Sequence, residues 1–266
     1  MKLKRILSAG LLAGALTITP AAALTLAVDG VMLPQAVPLF MEAGTTYVPL
    51  RATAERLGDV TVSWSSGQAS VSGSGLTLTA RPGETWIQAN DRCFYVPGGV
   101  RNVAGSVMVP VRALAAAMGG SVIWDAASRA VEVRAGSGTP QAPEYSEDEL
   151  YWLSRIISAE SQGEPLEGKL AVGTVVLGRV DSEAFPDTIY DVIFDTKWGV
   201  QFTPVSNGTV YQEPTAESVL AAKLCLEGAR AAEGSLYFLD PTQTSNHWTI
   251  DNRTYITTIG CHQFYA

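Results

Sequence analysis

Glu160 is the residue whose setting most invites chemistry. From Glu147 to about Ser161 the sequence predicts a helix, opened by the S-x-x-E capping box of Ser146 and Glu149 and stopped by Gly163 and Pro165. At about 100° per residue, Leu150, Leu153, Ile156 and Ile157 fall on one face, the face such a helix buries. Glu160 falls in the same arc, one turn beyond Ile156 and Ile157. A carboxyl group that continues an apolar stripe is poorly hydrated, which disfavours its charged form and raises its pKa. An acid that still holds its proton near neutrality can protonate the leaving oxygen of a glycosidic bond. Two plainer roles compete: an ion pair with Arg155 or Arg179, or a solvated helix end. A negative charge near a helix C-terminus opposes the macrodipole, so helix stability does not account for Glu160. A glycoside hydrolase would need a second carboxylate. Glu164 is the nearest, but Gly163 and Pro165 leave its direction open, and Asp181 and Asp187 are equally open.

Other chemistries find less support. The cysteines are three, Cys93, Cys225 and Cys261, too few and odd in number for a disulfide framework. Cys225 and Cys261 are open to pairing, and buried free thiols are an equal expectation. Cys261 adjoins His262, but neighbours on a strand point to opposite faces and make no dyad. HExxH, CxxC and P-loop signatures are absent, and two histidines in the whole chain argue against a zinc peptidase. Neither a metal nor a cofactor is expected. Gly73-Ser74-Gly75 sits between strand-like runs and reads as a turn rather than a phosphate cradle. A formal charge of −8 argues against nucleic acid as a partner. No basic amphipathic stretch suits an anionic membrane surface.

The elements that must position Glu160 belong to the second half of the chain. Residues 1–23 read as a secretory signal peptide: Lys2, Lys4 and Arg5, an apolar run from Ile6 to Ile18, then Pro20 and Ala21-Ala22-Ala23. That run is short for a bilayer span, so cleavage and a soluble, extracytoplasmic chain are expected, with an uncleaved anchor as the alternative. Residues 24–135 read as β-rich with two repeats. One runs Tyr47-Val48-Pro49-Leu50-Arg51-Ala52, Leu57-Gly58, Val62-Ser63-Trp64. The other runs Met108-Val109-Pro110-Val111-Arg112-Ala113, Met118-Gly119, Val122-Ile123-Trp124. Each predicts a short helix closed by glycine, then a Trp-bearing strand, then an alternating run, Ala69 to Leu78 or Ala130 to Val133, that reads as half-buried strands. Residues 136–146 read as a linker. Residues 147–266 read as α+β: helices from Glu147 to about Ser161, Leu170 to Val180 (its valines leave a strand open), Pro186 to Ile193, and Pro214 to Leu226, then strands at Ser235 to Leu239 and Thr254 to Tyr265.

The repeat in 24–135 resembles the copper amine oxidase N-terminal-like domain, a stalk module of secreted bacterial proteins. The segment holds no histidine, so the resemblance carries no copper, and a spacer or wall-contact role is expected. The run Tyr151-Trp152-Leu153-Ser154-Arg155-Ile156-Ile157-Ser158-Ala159-Glu160-Ser161-Gln162-Gly163-Glu164-Pro165 resembles the opening motif of the spore cortex-lytic, SleB/CwlJ-type cell wall hydrolases. Gly168-Lys169-Leu170-Ala171-Val172, Val175 to Val180, Phe185-Pro186-Asp187-Thr188, Gln201-Phe202-Thr203-Pro204-Val205, Leu236-Tyr237-Phe238 and Ile259 to Tyr265 follow in order. The resemblance implies a lysozyme-like, lytic-transglycosylase-like domain with Glu160 as catalytic acid and peptidoglycan glycan strands as partner. By motif position Gln201, Phe202, Tyr237, His262 and Glu164 are the candidate substrate-binding residues. Phe202 and Tyr237 are equally candidates for core, and His262 for orienting Glu160 or for a satisfied structural histidine. Gly178 and Cys261 stand where the family usually has Asn. A muramidase with a second carboxylate and a non-catalytic wall-binding protein are the alternatives. Cortex against vegetative wall, oligomeric state and activating partners stay open.

Overall fold

A computed structural model of the chain describes residues 23–34, 38–197, 199–243 and 248–266. The signal-peptide reading falls almost wholly outside these residues. Among them no helix is long and apolar enough to cross a membrane.

The N-terminal half is strand-rich. Its strands are β1 (Thr25–Val28), β2 (Val31–Met32), β3 (Phe40–Glu42), β4 (Thr45–Pro49), β5 (Val60–Ser65), β6 (Gln68–Gly73), β7 (Leu76–Ala80), β8 (Trp86–Ala89), β9 (Arg92–Tyr95), β10 (Arg101–Val103), β11 (Ser106–Pro110), β12 (Ser121–Asp125) and β13 (Ala130–Arg134). They form sheets ordered β12-β13-β1-β2, β10-β11-β4-β3 and β5-β6-β7-β8-β9. The first strand lies parallel to the last, Leu26 against Val131, which ties the start of this half to its end. Helices α1 (Leu50–Leu57) and α2 (Val111–Ala117) each begin on the residue after a strand-ending proline. Proline has no N–H to continue a ladder and fixes φ where the chain must turn. Both helices close near glycine, and Trp64 and Trp124 lie on the strands that follow, β5 and β12. The alternating run from Ala69 to Leu78 is two strands, parted at the turn that Gly73-Ser74-Gly75 indicates. Gly75, at φ +74°, reverses the chain into the β6–β7 hairpin, in which Val71 pairs with Leu78. Leu26, Val48, Val71, Leu78, Ile87, Val109 and Leu114 fill one apolar core.

The C-terminal half packs helices first and a small sheet last. Helix α3 (Glu147–Ser161) carries both bonds of the capping box: Glu149 N–H donates to Ser146 Oγ, and Ser146 N–H donates to the Glu149 carboxylate. Helix α4 (Leu166–Val180) is buried along nearly its whole length and resolves the helix-or-strand ambiguity. Helix α5 (Ile189–Phe194) starts three residues later than Pro186 suggests, because the Thr188 hydroxyl caps it by accepting from Asp191 N–H. Helix α6 (Thr203–Asn207) and a 3-10 turn at Thr209–Tyr211 were not foreseen, and helix α7 (Ala216–Leu226) is capped by Thr215. Strand β14 (Tyr237–Leu239), the short helix α8 (Trp248–Asn252), and strands β15 (Tyr255–Ile259) and β16 (His262–Tyr265) close the chain. The predicted run from Thr254 to Tyr265 is a hairpin, turned at Gly260 and Cys261, and the sheet order is β14-β16-β15. Helices α3, α4 and α7 approach closely at Gly173, where a Cβ would lie 2.7 Å from Cys225 Sγ and 2.9 Å from Ile157 Cδ1. Glycine lets these three helices share one core with Leu153, Val176 and Ala222.

Residues 135–146 have no regular structure but are not loose: Gln141 O accepts from Arg92 Nη1, and Gly138 N–H donates to Met118 O. The two halves dock through β9 and α7. Arg92 makes a bidentate pair with the Glu227 carboxylate, Lys223 Nζ donates to Asp91 O, and Cys93, Trp86 and Tyr95 pack against the C-terminal core.

Candidate active site

Helix α3 delivers Glu160 to the wall of a groove. Leu153, Ile156 and Ile157 are fully buried, as the apolar stripe requires, and Glu160, one turn on, is half-buried at the groove's edge. The groove encloses about 560 Å³. Its walls come from the α3–α4 turn, α4, the segment entering α6, the end of β14 and the β15–β16 turn. Burial pushes the Glu160 carboxyl from the ordinary 4.5 up to about 7, and the positive charge of Arg179 partly opposes that rise. No hydrogen bond to the Glu160 carboxyl is present among the described residues.

Arg155 is not its partner. The Arg155 guanidinium stacks on Tyr151, 3.7 Å from the ring centroid, and pairs with Glu213 at 2.9 Å. Arg179 is the neighbouring cation. It is only 4% exposed, donates from Nε to Leu236 O at 2.8 Å, and lies 5.0 Å from the ring centroids of both Phe185 and Phe202. Desolvation lowers its pKa to about 10, which leaves it cationic at neutrality, and its Nη1 is buried without a partner.

Glu164 lies in the same groove. Its Oε2 accepts from Cys261 N–H at 3.1 Å, while Lys169 Nζ donates to its carbonyl and pairs with Glu217 at 2.8 Å. The approach requires glycine at 260: a Cβ there would overlap Glu164 Oε2 at 1.6 Å. His262 is buried against Phe238, with ring centroids 5.2 Å apart, and its Nδ1 has no partner. Desolvation lowers its pKa, against the opposing charges of Glu164 and Asp240.

Of the sequence-selected residues, Glu160, Glu164, Gln201, Phe202 and His262 all line the groove. Gln201 is partly exposed and donates to Gly199 O at 3.0 Å. Phe202 is nearly fully buried, so it serves as wall and core together. Tyr237 does not line the groove. It stands beside the groove's buried cation instead, its ring centroid 5.6 Å from the Arg179 guanidinium carbon and 6.2 Å from that of Phe185, while Phe238 and Leu239 of the same strand line the groove. There Tyr237 accepts from Arg253 Nη2 at 2.9 Å. Arg179 as a groove residue, Asp240 and Gln243 were missed. Asp181 and Asp187 are not among the groove residues. The three cysteines are free, Cys93 and Cys225 buried and Cys261 exposed at the groove. Among the described residues no cluster of His, Cys, Asp or Glu has the arrangement of a metal site.

Residues 163–265 match the family model described as Cell Wall Hydrolase, and residues 27–133 match the Copper amine oxidase N-terminal domain. The chain thus joins a copper amine oxidase N-terminal domain to a domain of the cell wall hydrolase family. Its relatives include the spore cortex-lytic enzyme of Oceanobacillus iheyensis, 34% identical over 130 residues, which are 48% of this chain and 46% of that protein. The spore cortex-lytic enzyme of Bacillus cereus is 33% identical over 129 residues, 48% of each chain. This chain therefore spans about half the length of these relatives. The solved catalytic domain of the germination-specific lytic transglycosylase SleB from Bacillus anthracis is 32% identical, with a TM-score of 0.43, and is covered completely by 47% of this chain. The cell wall hydrolase match begins three residues after Glu160, so the case for Glu160 rests on its geometry.

Proposed function

We propose that this chain cleaves peptidoglycan glycan strands as a lytic transglycosylase, with Glu160 as both acid and base. The observation that carries the reading is a half-buried carboxyl, raised to about 7, on the wall of a groove large enough for sugar rings. The family match and the names of the relatives support the substrate class. In the first step Glu160 gives its proton to the oxygen between N-acetylmuramic acid and N-acetylglucosamine. The bond from that oxygen to the muramic C1 breaks and an oxocarbenium-like sugar forms. In the second step the C6 hydroxyl of the same sugar attacks C1. Its proton passes to the Glu160 carboxylate, which restores the acid and leaves a 1,6-anhydro ring. Water takes no part, so one carboxyl suffices. Arg179 stabilises the carboxylate that exists between the steps.

A second reading has one observation in its favour: Glu164 and Asp240 share the groove, so a muramidase has carboxylates available. Their engagement with Cys261 N–H and with Thr242 favours structural roles. We place the catalytic domain at 147–266, lysozyme-like, behind a stalk with two repeats at 24–135 and a linker at 136–146, acting outside the cytoplasm after signal cleavage. Spore cortex is the substrate the relatives suggest. The test is clearance of purified sacculi and of cortex, followed by mass spectrometry of the products. Loss of turbidity with fragments one water lighter than reducing ends is expected. Reducing ends would establish the hydrolase, and binding without clearance would establish a wall-binding protein.

A further inference from the structure

Five aromatic rings meet at the start of α3, away from the groove. Trp152 is their hub. It makes edge contacts with Tyr151 at 5.0 Å, Tyr190 at 5.2 Å, Phe194 at 5.2 Å and Tyr211 at 6.2 Å. Tyr190 and Phe194 also touch, at 4.6 Å. Such a cluster would ordinarily close a core, yet its outer members face water: Tyr151 is 43% exposed, Tyr190 45% and Tyr211 59%. Their hydroxyls have no protein partner among the described residues. A contiguous exposed aromatic patch on a folded domain marks an interaction surface.

We propose that this cluster is a second sugar-binding platform, which holds the glycan strand outside the catalytic groove. The inference rests on the function proposed above. Its chemistry singles out a carbohydrate over an apolar partner. The exposed members are all tyrosines, which combine a flat apolar face with a polar rim. A sugar ring has the matching form, C–H faces bounded by hydroxyls. Trp152 and Phe194 brace the tyrosines from behind, so little side-chain entropy is lost on binding. Beside Tyr151, the Arg155–Glu213 pair offers both donors and acceptors. The platform is continuous with the groove along two stretches of chain. Trp152 precedes Glu160 by eight residues of α3, about 12 Å along the axis. The segment that carries Tyr190 and Phe194 runs on through Gln201, Phe202 and Thr203 of the groove before reaching Tyr211. A strand lying on both would be anchored by one while it is cut at the other.

The test uses the full chain carrying Glu160→Gln, which leaves the strand intact, and measures co-sedimentation with purified sacculi. Tyr211→Ala and Tyr190→Ala are each expected to weaken binding about fivefold, and the double variant tenfold or more, on the scale of lost ring stacking. Tyr190→Phe and Tyr211→Phe, which keep the rings, should lose less than twofold. In the otherwise unaltered chain, Tyr211→Ala should slow the digestion of sacculi but leave the cleavage of short soluble glycan fragments unchanged. Unchanged sedimentation of the alanine variants, or equal losses in the Phe variants, would overturn the platform. Should the double variant melt early, Tyr211→Ala decides, since its ring is the most exposed. Failure of the unaltered chain to digest sacculi would count against the proposed activity. Failure of the Glu160→Gln chain to sediment at all would count against the platform.

Discussion

Among the described residues of the N-terminal half, the buried polar side chains are Thr46 and Thr53; in the C-terminal half they include Lys169, Arg179 and His262. The first half buries apolar strands against two short helices, and no charged side chain is fully buried among its described residues. The second takes three cationic or titratable side chains out of water, with Glu160 half out of it as well. Burying charge is costly unless it is paired, and a core that served stability alone would contain none of these groups. Two of them, Arg179 and His262, retain a buried nitrogen without a partner and line the groove, whereas the unpartnered buried atoms of the first half, Thr53 Oγ1 and Arg129 Nε, do not. The difference teaches where to look for chemistry: in the half whose packing stability does not explain.

The largest effect expected from this contrast is on turnover. Glu160→Gln removes the proton donor and should lower sacculus digestion about 10²–10⁴-fold, the usual worth of a positioned acid–base group. In the other half Val71→Ala, at a fully buried position, should lower stability by about 1–3 kcal/mol and leave specific activity unchanged. Turbidity assays and denaturant melts on both variants would read the two outcomes, and comparable activity losses would erase the distinction between the halves.

Arg179 comes next. Its charge opposes the burial that raises Glu160, so Arg179→Met should raise the Glu160 pKa further. The alkaline limb of the pH–rate profile, where the acid form disappears, should then move to higher pH. Activity should also fall about tenfold at neutrality as the ionised intermediate loses its neighbour. Arg179→Lys should restore the limb. A loss of activity with an unmoved limb would reduce Arg179 to a packing residue.

The same raised pKa predicts a stability effect of definite sign. The folded chain holds the Glu160 proton up to about pH 7, whereas the ordinary value for a free carboxyl is 4.5. Between these values the folded state binds more protons, so stability falls as pH rises through that window. Glu160→Gln should therefore stabilise the chain by about 1–3 kcal/mol at pH 8, and the gain should disappear near pH 4. Chemical denaturation at the two pH values measures it. A gain of equal size at both would point to packing and not to the proton.

How much of this was legible in the sequence depended on whether a neighbour in sequence decided the outcome. The capping box of Ser146 and Glu149, the apolar stripe of α3 and the strand-ending prolines act within a few residues, and the structure has them where the sequence put them. The β6–β7 turn was legible in Gly73-Ser74-Gly75, whereas the β15–β16 hairpin was read as one continuous run because the apolar pattern continues across the turn that the positive φ of Gly260 makes. In the site, helical period alone put Glu160 on the buried face of α3, and the acid role came from the family resemblance. Arg179 was weighed only as an ion-pair partner, because its place in the groove depends on long-range contacts with Phe202 and Leu236. Tyr237 and Phe238 came from one motif, and which of them reaches the groove wall depends on contacts with Arg179 and with β16 that lie far off in sequence.

The smallest effect concerns the seam between the halves. Arg92 and Glu227 form a part-buried bidentate pair, with side chains 17% and 11% exposed, across the β9–α7 contact. A partner removed alone leaves the other carrying an uncompensated charge, so Arg92→Ala and Glu227→Ala should each destabilise more than the pair is worth. The double variant isolates the pair itself, and a coupling of about 1 kcal/mol is expected. Its consequence would be clearest in cooperativity. With Cys93 and Tyr95 seated against the C-terminal core, the two halves should melt together. In the double variant, tryptophan fluorescence and far-ultraviolet circular dichroism should begin to report separate transitions. Coincident melts and zero coupling would mean that the apolar contact alone joins the halves. In that case the Arg92–Glu227 pair contributes nothing to stability, and the division of labour between an uncharged core and a charged one extends to the interface itself.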